Sequence, residues 1–324
     1  MKLTRVLVAS CYLNHPRDVD PAACVQLNRQ MVLEVLDLAA PFKPDFVLFS
    51  EEVIQQGLAW SAADTPKVVR WAEPVPGKFL DQVGEKAKAL NSHVIIPFLS
   101  KEDRLVYNTA FVLDRKGQRL GAYRKYHATG YEIQAGVTPG DQIGVYPTDR
   151  GPIGLAICFD INYPDIGMGL ARQDARCVFW PTMWAGGKRL AAWAMDYGFF
   201  MVRGNAAGGQ VVSPTGELLA TSDEGHELKT FSGKVSWTFA EINLDGRTYH
   251  PDFHWDKMQT IIKQHGEGVG FFNMGEEGNI RLESRLPELT IEQLQETYEL
   301  TPMWTYLDEA ACIRQHALRE RKQP

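Results

Sequence analysis

The chain has 324 residues, of which 44% are hydrophobic and 23% charged, and it carries a formal net charge of -6 at pH 7. That balance predicts a globular, soluble chain and disfavours nucleic acid or an anionic membrane as partner, since both select a basic face. No apolar run approaches the roughly 18 residues of a transmembrane helix, and the five cysteines (Cys11, Cys24, Cys158, Cys177, Cys312) are odd in number and free of CxxC, which predicts free thiols and a cytoplasmic location.

In chain order, residues 5–12 read as a strand, 20–39 as an amphipathic helix and 45–49 as a second strand. Residues 78–90 read as a helix and 92–99 as a strand. A hairpin follows: residues 106–114 and 119–124 around the turn Arg115-Lys116-Gly117-Gln118. The short apolar run 153–157 predicts a buried strand. Helix 165–173, strand 177–180 and helix 189–203 come next. A second hairpin spans 210–221, and 239–244 is the last clear strand. Crossovers mixed with hairpins predict α/β layers with a mixed sheet. After about residue 246 the texture changes. Residues 250–274 lack clear strand alternation, and 289–315 read as one or two helices before a solvated tail. The predicted organisation is a domain at 1–246 and an extension at 247–324, packed on the domain or on a partner subunit.

Three segments carry chemistry. Cys158 stands where the strand 153–157 stops, before Asp160 and Pro164. Strand ends are where α/β folds expose reactive groups, although a free Cys is more often a small buried hydrophobe. The strand 45–49 delivers Glu51 and Glu52 at its end. The segment Lys125-Tyr126-His127-Ala128-Thr129-Gly130-Tyr131-Glu132 ends a hairpin with a lysine and adds a carboxylate. A Lys and a Glu so close are commonly a solvated pair. His250 and His254 have metal-like spacing, but Pro251 weakens a helical reading and no third ligand is evident. Cys177, in an apolar strand, reads as an inert core thiol.

Together these segments resemble the nitrilase (carbon–nitrogen hydrolase) superfamily, whose pattern is a strand-end Glu, a K-x-H-x4-E segment and a C-x-D-x3-P turn. The resemblance covers about residues 3–245. Trp180-Pro181-Thr182-Met183-Trp184 and Pro214-Thr215-Gly216-Glu217 support it. Ser50 replaces the Pro that usually precedes the family's Glu. Aligning the strand puts Glu51 in the catalytic place, with Glu52 the alternative.

The resemblance implies a four-layer α-β-β-α sandwich and hydrolysis of a non-peptide C–N bond, in an amide or N-carbamoyl compound; the alternatives are nitrile hydrolysis by the same site or a non-catalytic binding protein that retains the fold. It implies Cys158 as nucleophile, Glu51 as base, Lys125 with the backbone N–H of Phe159 as oxyanion donors, and Glu132 positioning Lys125. Trp184, His127 and Tyr131 are the candidate substrate-binding residues. No metal or organic cofactor is implied. The expected partners are a small amide-type substrate and further copies of the chain, as a homodimer or larger.

Overall fold

The computed structural model describes residues 3–15, 20–58 and 68–321. Its first sheet contains β1 (Thr4–Leu13), β2 (Phe46–Phe49), β3 (Glu73–Pro74), β4 (His93–Glu102), β5 (Leu105–Leu113) and β6 (Arg119–Arg124). The second contains β7 (Gly144–Tyr146), β8 (Ile153–Leu155), β9 (Cys177–Pro181), β10 (Phe200–Gly204), β11 (Gln210–Val212) and β12 (Leu218–Thr221). The strands β13 (His226–Glu227) and β14 (Gly233–Ile242) return to the first sheet, whose order is β13-β14-β1-β2-β4-β5-β6, with β3 beside β4. The second sheet runs β12-β11-β10-β9-β8-β7. In each sheet the central strands are parallel and the edges are antiparallel hairpins.

The helices α1 (Pro21–Leu38) and α2 (Lys78–Leu90) cover the first sheet. Asp20 starts α1: its carboxylate accepts from Ala23 N at 3.1 Å and Pro21 occupies the first turn, where its missing N–H costs nothing. Asn91, left-handed at φ 52°, ends α2. The short α3 (Gly130–Ala135) follows β6. Two further helices, α4 (Pro164–Arg172) and α5 (Arg189–Tyr197), lie on the outer face of the second sheet.

Three cores separate four layers. Leu7, Val47, Phe49, Val94 and Ile96 meet Met31, Val35, Phe79 and Val83 of α1 and α2. On the opposite faces of the same strands, Val6, Val8, Phe46, Leu48 and Ile95 meet Ile153, Leu155, Phe179 and Val202 of the second sheet. Beyond them Val178, Trp180 and Met201 meet Ile166, Leu170, Leu190 and Trp193 of α4 and α5. Strands buried on both faces read as continuous apolar runs, which is why these were legible. The arrangement is an α-β-β-α sandwich.

Two elements depart from expectation. The helix predicted at 189–203 stops at Tyr197, because Gly198 takes φ 77° and its N–H caps Ala194 O; β10 then begins at Phe200. The region after 246, where residues 250–274 lack clear strand alternation, contains an antiparallel sheet of β15 (Gly246–Tyr249), β16 (Val269–Met274) and β17 (Asn279–Ser284), in the order β15-β17-β16. With α6 (Trp255–His265), α7 (Ile291–Thr297) and α8 (Met303–Glu320) it encloses a core of Tyr249, Met258, Ile261, Ile280, Leu282, Ile291 and Leu294. This unit bonds to the sandwich through Arg176–Glu292 at 2.6 Å, Arg247–Asp174 at 2.6 Å and Arg172–Asp308 at 2.7 Å. Among the described residues, no helix is long and apolar enough to cross a membrane.

Candidate active site

Four chain segments end at one place between the sheets. The turn after β2 carries Glu51 and Glu52; the latter adopts φ 50°, and Val53 N anchors the turn to Pro97 O at 3.0 Å. Lys125 follows β6, tied by its N–H to Asn108 O on β5 at 2.8 Å. Glu132 lies in the first turn of α3. There it closes a capping box, its carboxylate accepting from Thr129 N at 2.7 Å. Cys158 opens a single 3-10 turn just beyond β8 and adopts φ 42°. A non-glycine residue held in the left-handed region is strained, and such strain is retained where surroundings over-determine it.

Asp160 accepts from Ile157 N, Tyr123 Oη and His127 N, each at 2.8 Å, and Trp180 Nε1 donates to Cys158 O at 3.0 Å. The turn is thus clamped from β6, β9 and the chain before it. Burial lifts the Asp160 carboxyl to about 6 against the pull of its three donors.

Lys125 Nζ lies 3.0 Å from Glu51 Oε1 and 3.0 and 3.2 Å from the two Glu132 oxygens. Burial by itself disfavours the charged ammonium. The Glu51 and Glu132 carboxylates outweigh it and hold Lys125 well above its ordinary range. Glu51 Oε2 accepts from Met183 N, just past β9, at 2.9 Å. Asn108 Nδ2 stands 2.9 Å from Glu51, 3.1 Å from Glu52 and 2.9 Å from Glu132. Burial would raise Glu132, but Lys125, Asn108 and the Thr129 N–H bring it below the usual range. Glu52 is pushed well above that range by burial and then by the charges of Glu51 and Glu132.

Burial, then the Glu51 charge, pushes the Cys158 thiol up to about 12; Lys125, the Thr182 hydroxyl and the Met183 N–H act against it. The resting sulfur is therefore a thiol in electrostatic contact with both Glu51 and Lys125. Cys177 is buried between the sheets, where burial alone raises it.

Glu51, Lys125, Glu132 and Cys158 are thus brought together. Phe159 follows directly, half-buried and edge-on to Tyr163. The side chains of the three expected substrate-binding residues are not hydrogen-bonded to Glu51, Glu52 or Glu132, although each residue adjoins a part of the site in sequence. His127 stacks on Tyr163 with ring centroids 3.6 Å apart and faces Asp165 Oδ2 at 3.3 Å. Tyr131 is exposed on α3. Trp184 is exposed and edge-on to Trp180 at 6.5 Å. His254 is pinned by backbone, its Nε2 accepting from Thr301 N at 2.9 Å and its Nδ1 facing His250 O at 3.1 Å.

Asn108 went unnoticed in the sequence, and Thr182 and Met183 were read only as part of a supporting segment, without their contacts to Glu51 and Cys158. Asn108 carried a signal: an amide in the middle of Leu105–Leu113, a run that is apolar apart from it and Thr109, is a buried polar group needing partners. Oxygens of Glu51, Glu52 and Glu132 also lie within 4.8 Å of one another, a spacing suited to a cation. The Lys125 ammonium already supplies positive charge to Glu51 and Glu132 there.

A mixed α-β-β-α sandwich with a Glu–Lys–Glu cluster beside a strand-end thiol defines a class, and the comparisons agree with it. The chain belongs to the carbon-nitrogen hydrolase family, whose model matches residues 7–235. It is 30% identical over 154 residues to an N-carbamoylputrescine amidase of Solanum lycopersicum, covering 46% of this chain and 51% of that one. It is 27% identical over 120 residues to a human omega-amidase, covering 34% and 44%. The chain thus spans about half or less of the length of the curated relatives it matches. Among solved structures, a Saccharomyces cerevisiae member of branch 10 of the nitrilase superfamily superposes with a TM-score of 0.57 at 19% identity, over 80% of this chain and 94% of that one. An amidase from Nesterenkonia sp. gives 0.56 at 18%, over 79% and 95%. At those identities the likeness establishes the fold.

Proposed function

We propose that the protein hydrolyses a carbon–nitrogen bond in an amide or N-carbamoyl compound through a thioester on Cys158. The observation that carries this reading is the buried Lys125 ammonium held between Glu51 and Glu132 beside the strained Cys158. The thiol is neutral at rest, so attack requires a base. Glu51 takes the sulfur's proton as the S–C bond forms and returns it to the departing amine or ammonia. Lys125 stays charged throughout. It and the Phe159 N–H donate to the oxygen of the tetrahedral intermediate, where loss of one donor costs about 100- to 1,000-fold. Glu132 keeps Lys125 in place. Water then adds to the thioester, with Glu51 as base, and releases the acid and the thiol. The names of the relatives, N-carbamoylputrescine amidase and omega-amidase, support amide-type substrates.

Self-association belongs to the same reading: Leu307, Ile313 and Leu318 stand exposed on α8, and size exclusion before and after removal of α8 tests it. The deciding experiment for the chemistry combines an ammonia-release screen with intact-mass analysis. The screen spans aliphatic amides, ω-amides, N-carbamoyl amino acids and nitriles. An acyl adduct on Cys158 with a turned-over amide, abolished in Cys158→Ala without change in Tm, is expected. Turnover confined to nitriles, or turnover surviving in Cys158→Ala, overturns the reading.

A further inference from the structure

Glu52 is left over once Glu51, Lys125 and Glu132 have their roles, yet it is as buried as they are. If all three carboxylates were ionised, one ammonium would face three negative charges out of reach of water, an arrangement that burial penalises heavily. One carboxyl must carry a proton, and the hydrogen bonds select it. Glu51 accepts from Lys125, Asn108 and Met183. Glu132 accepts from Lys125 with both oxygens, and from Asn108 and Thr129. Glu52 accepts from Asn108, at the longest of that amide's three distances, and its Oε2 is buried without a partner.

The amide gives a second count. Asn108 Nδ2 has two hydrogens and three carboxylate oxygens around it, while its own Oδ1 is buried and unpartnered. The two shorter bonds, at 2.9 Å, use both hydrogens on Glu51 and Glu132. The pair Glu52–Asn108 then has surplus acceptors and no donor left. A proton on Glu52 supplies one.

We propose that Glu52 is a positioning residue held as the neutral acid, which leaves Asn108 and Lys125 to Glu51 and Glu132 and keeps a third negative charge out of the cluster around Lys125. The proposal rests on the amide-hydrolysing role of the same site. The charged groups facing Glu52 are Glu51 in its own turn, Lys125 after β6 and Glu132 on α3; burial and the two carboxylates favour its neutral form, and Lys125 opposes. As pH rises Glu52 ionises. The added charge draws Lys125 away from Glu51 and holds the Cys158 thiol protonated, so the site fails on the alkaline side.

The test has two arms that need no natural substrate. In infrared difference spectra of wild type against Glu52→Gln, the carbonyl stretch of a protonated carboxyl should be present at neutral pH and vanish at high pH. In the second arm, Cys158 is alkylated with iodoacetamide across pH. Glu52→Gln, neutral at every pH, should match wild type within about threefold below the break and exceed it by about tenfold above, a tenfold change being one pH unit of thiol titration. Glu52→Ala, lacking the hydrogen-bonding group, should not reproduce the Gln profile. If Glu52→Gln fails to fold, wild type labelled with 13C-glutamate still reports the protonated carboxyl. No such band at neutral pH, or superimposable alkylation profiles, overturns the proposal. The band and the divergence without any amide turnover would instead overturn the hydrolase reading and leave Glu52's role standing.

Discussion

Two ion networks in this molecule have opposite charge balance. At the active site one ammonium meets three fully buried carboxyls. At the junction with the C-terminal unit, Arg176 and Arg247 meet Asp174 and Glu292, two against two, and the acids are 42% and 55% exposed. The junction is a charge-matched contact whose acids remain in water, which suits the docking of one unit on another. The site is mismatched and dry. Its pieces come from four segments and shift one another: a buried lysine held well above its ordinary range by two carboxylates, Glu52 pushed up by burial and its neighbours' charges, and a thiol raised to about 12. A balanced network stabilises; an unbalanced one holds reactivity in place at a cost in stability.

The sharpest way to break this contrast is Lys125→Ala. Removing the single cation leaves buried acids uncompensated, which costs about 3–5 kcal/mol, and removes the proposed oxyanion donor as well. Turnover should fall by at least ~1,000-fold with a lower Tm. Lys125→Arg should rescue little, since a planar guanidinium does not fit an ammonium's place between two carboxylates. Thermal melts and kcat/KM of the two variants decide it; a Lys125→Ala protein with wild-type Tm would show the cluster to be less tightly coupled than described.

Next in size is acid sensitivity. The folded pKa of Glu132 lies below its ordinary value, so its stabilising contribution is present above the unfolded value of about 4.3 and is lost as pH falls through the folded one. Glu132→Gln should cost about 1–3 kcal/mol near neutral pH and flatten the stability curve below about pH 4. Denaturant melts from pH 3 to 7 measure it, and parallel curves for the two proteins would contradict the assignment.

The junction should respond more weakly and without loss of chemistry. Arg176 is 8% exposed, but its acid partners are solvated, so Arg176→Ala should cost about 1–2 kcal/mol after screening. Arg172 and Asp308, 48% and 43% exposed, form a surface pair, and Arg172→Ala should shift stability by less than about 1 kcal/mol. Limited proteolysis of the C-terminal unit and melts at low and high salt distinguish the two. A collapse of turnover in either variant would show that the junction feeds the site.

Much of the sandwich was legible because its strands are apolar on both faces. The strand Phe46–Phe49 and the run into Cys158 needed no context to be recognised. The C-terminal sheet was missed for the opposite reason. In β17, Ile280 and Leu282 face the unit's core, while Arg281 and Glu283 are buried on the other side and paired at 2.8 Å. Charged residues at alternate positions read as a solvated face, and only the packing made that face interior. Gly198, by contrast, was a visible stop signal for α5, overridden by the helical pattern around it.

The sequence by itself determined the order and type of the reactive groups: a strand-end Glu, a hairpin-end Lys with Glu132 seven residues on, and a thiol before a turn. Those are local facts, set by residue type and spacing. Which of two adjacent glutamates meets the lysine was decided only by tertiary structure, because Glu51 is chosen by Lys125 after β6 and by Met183 after β9. The same holds for the protonation states. A pKa moves with burial and with charges brought from elsewhere in the chain, and no stretch of sequence contains the distances that set it.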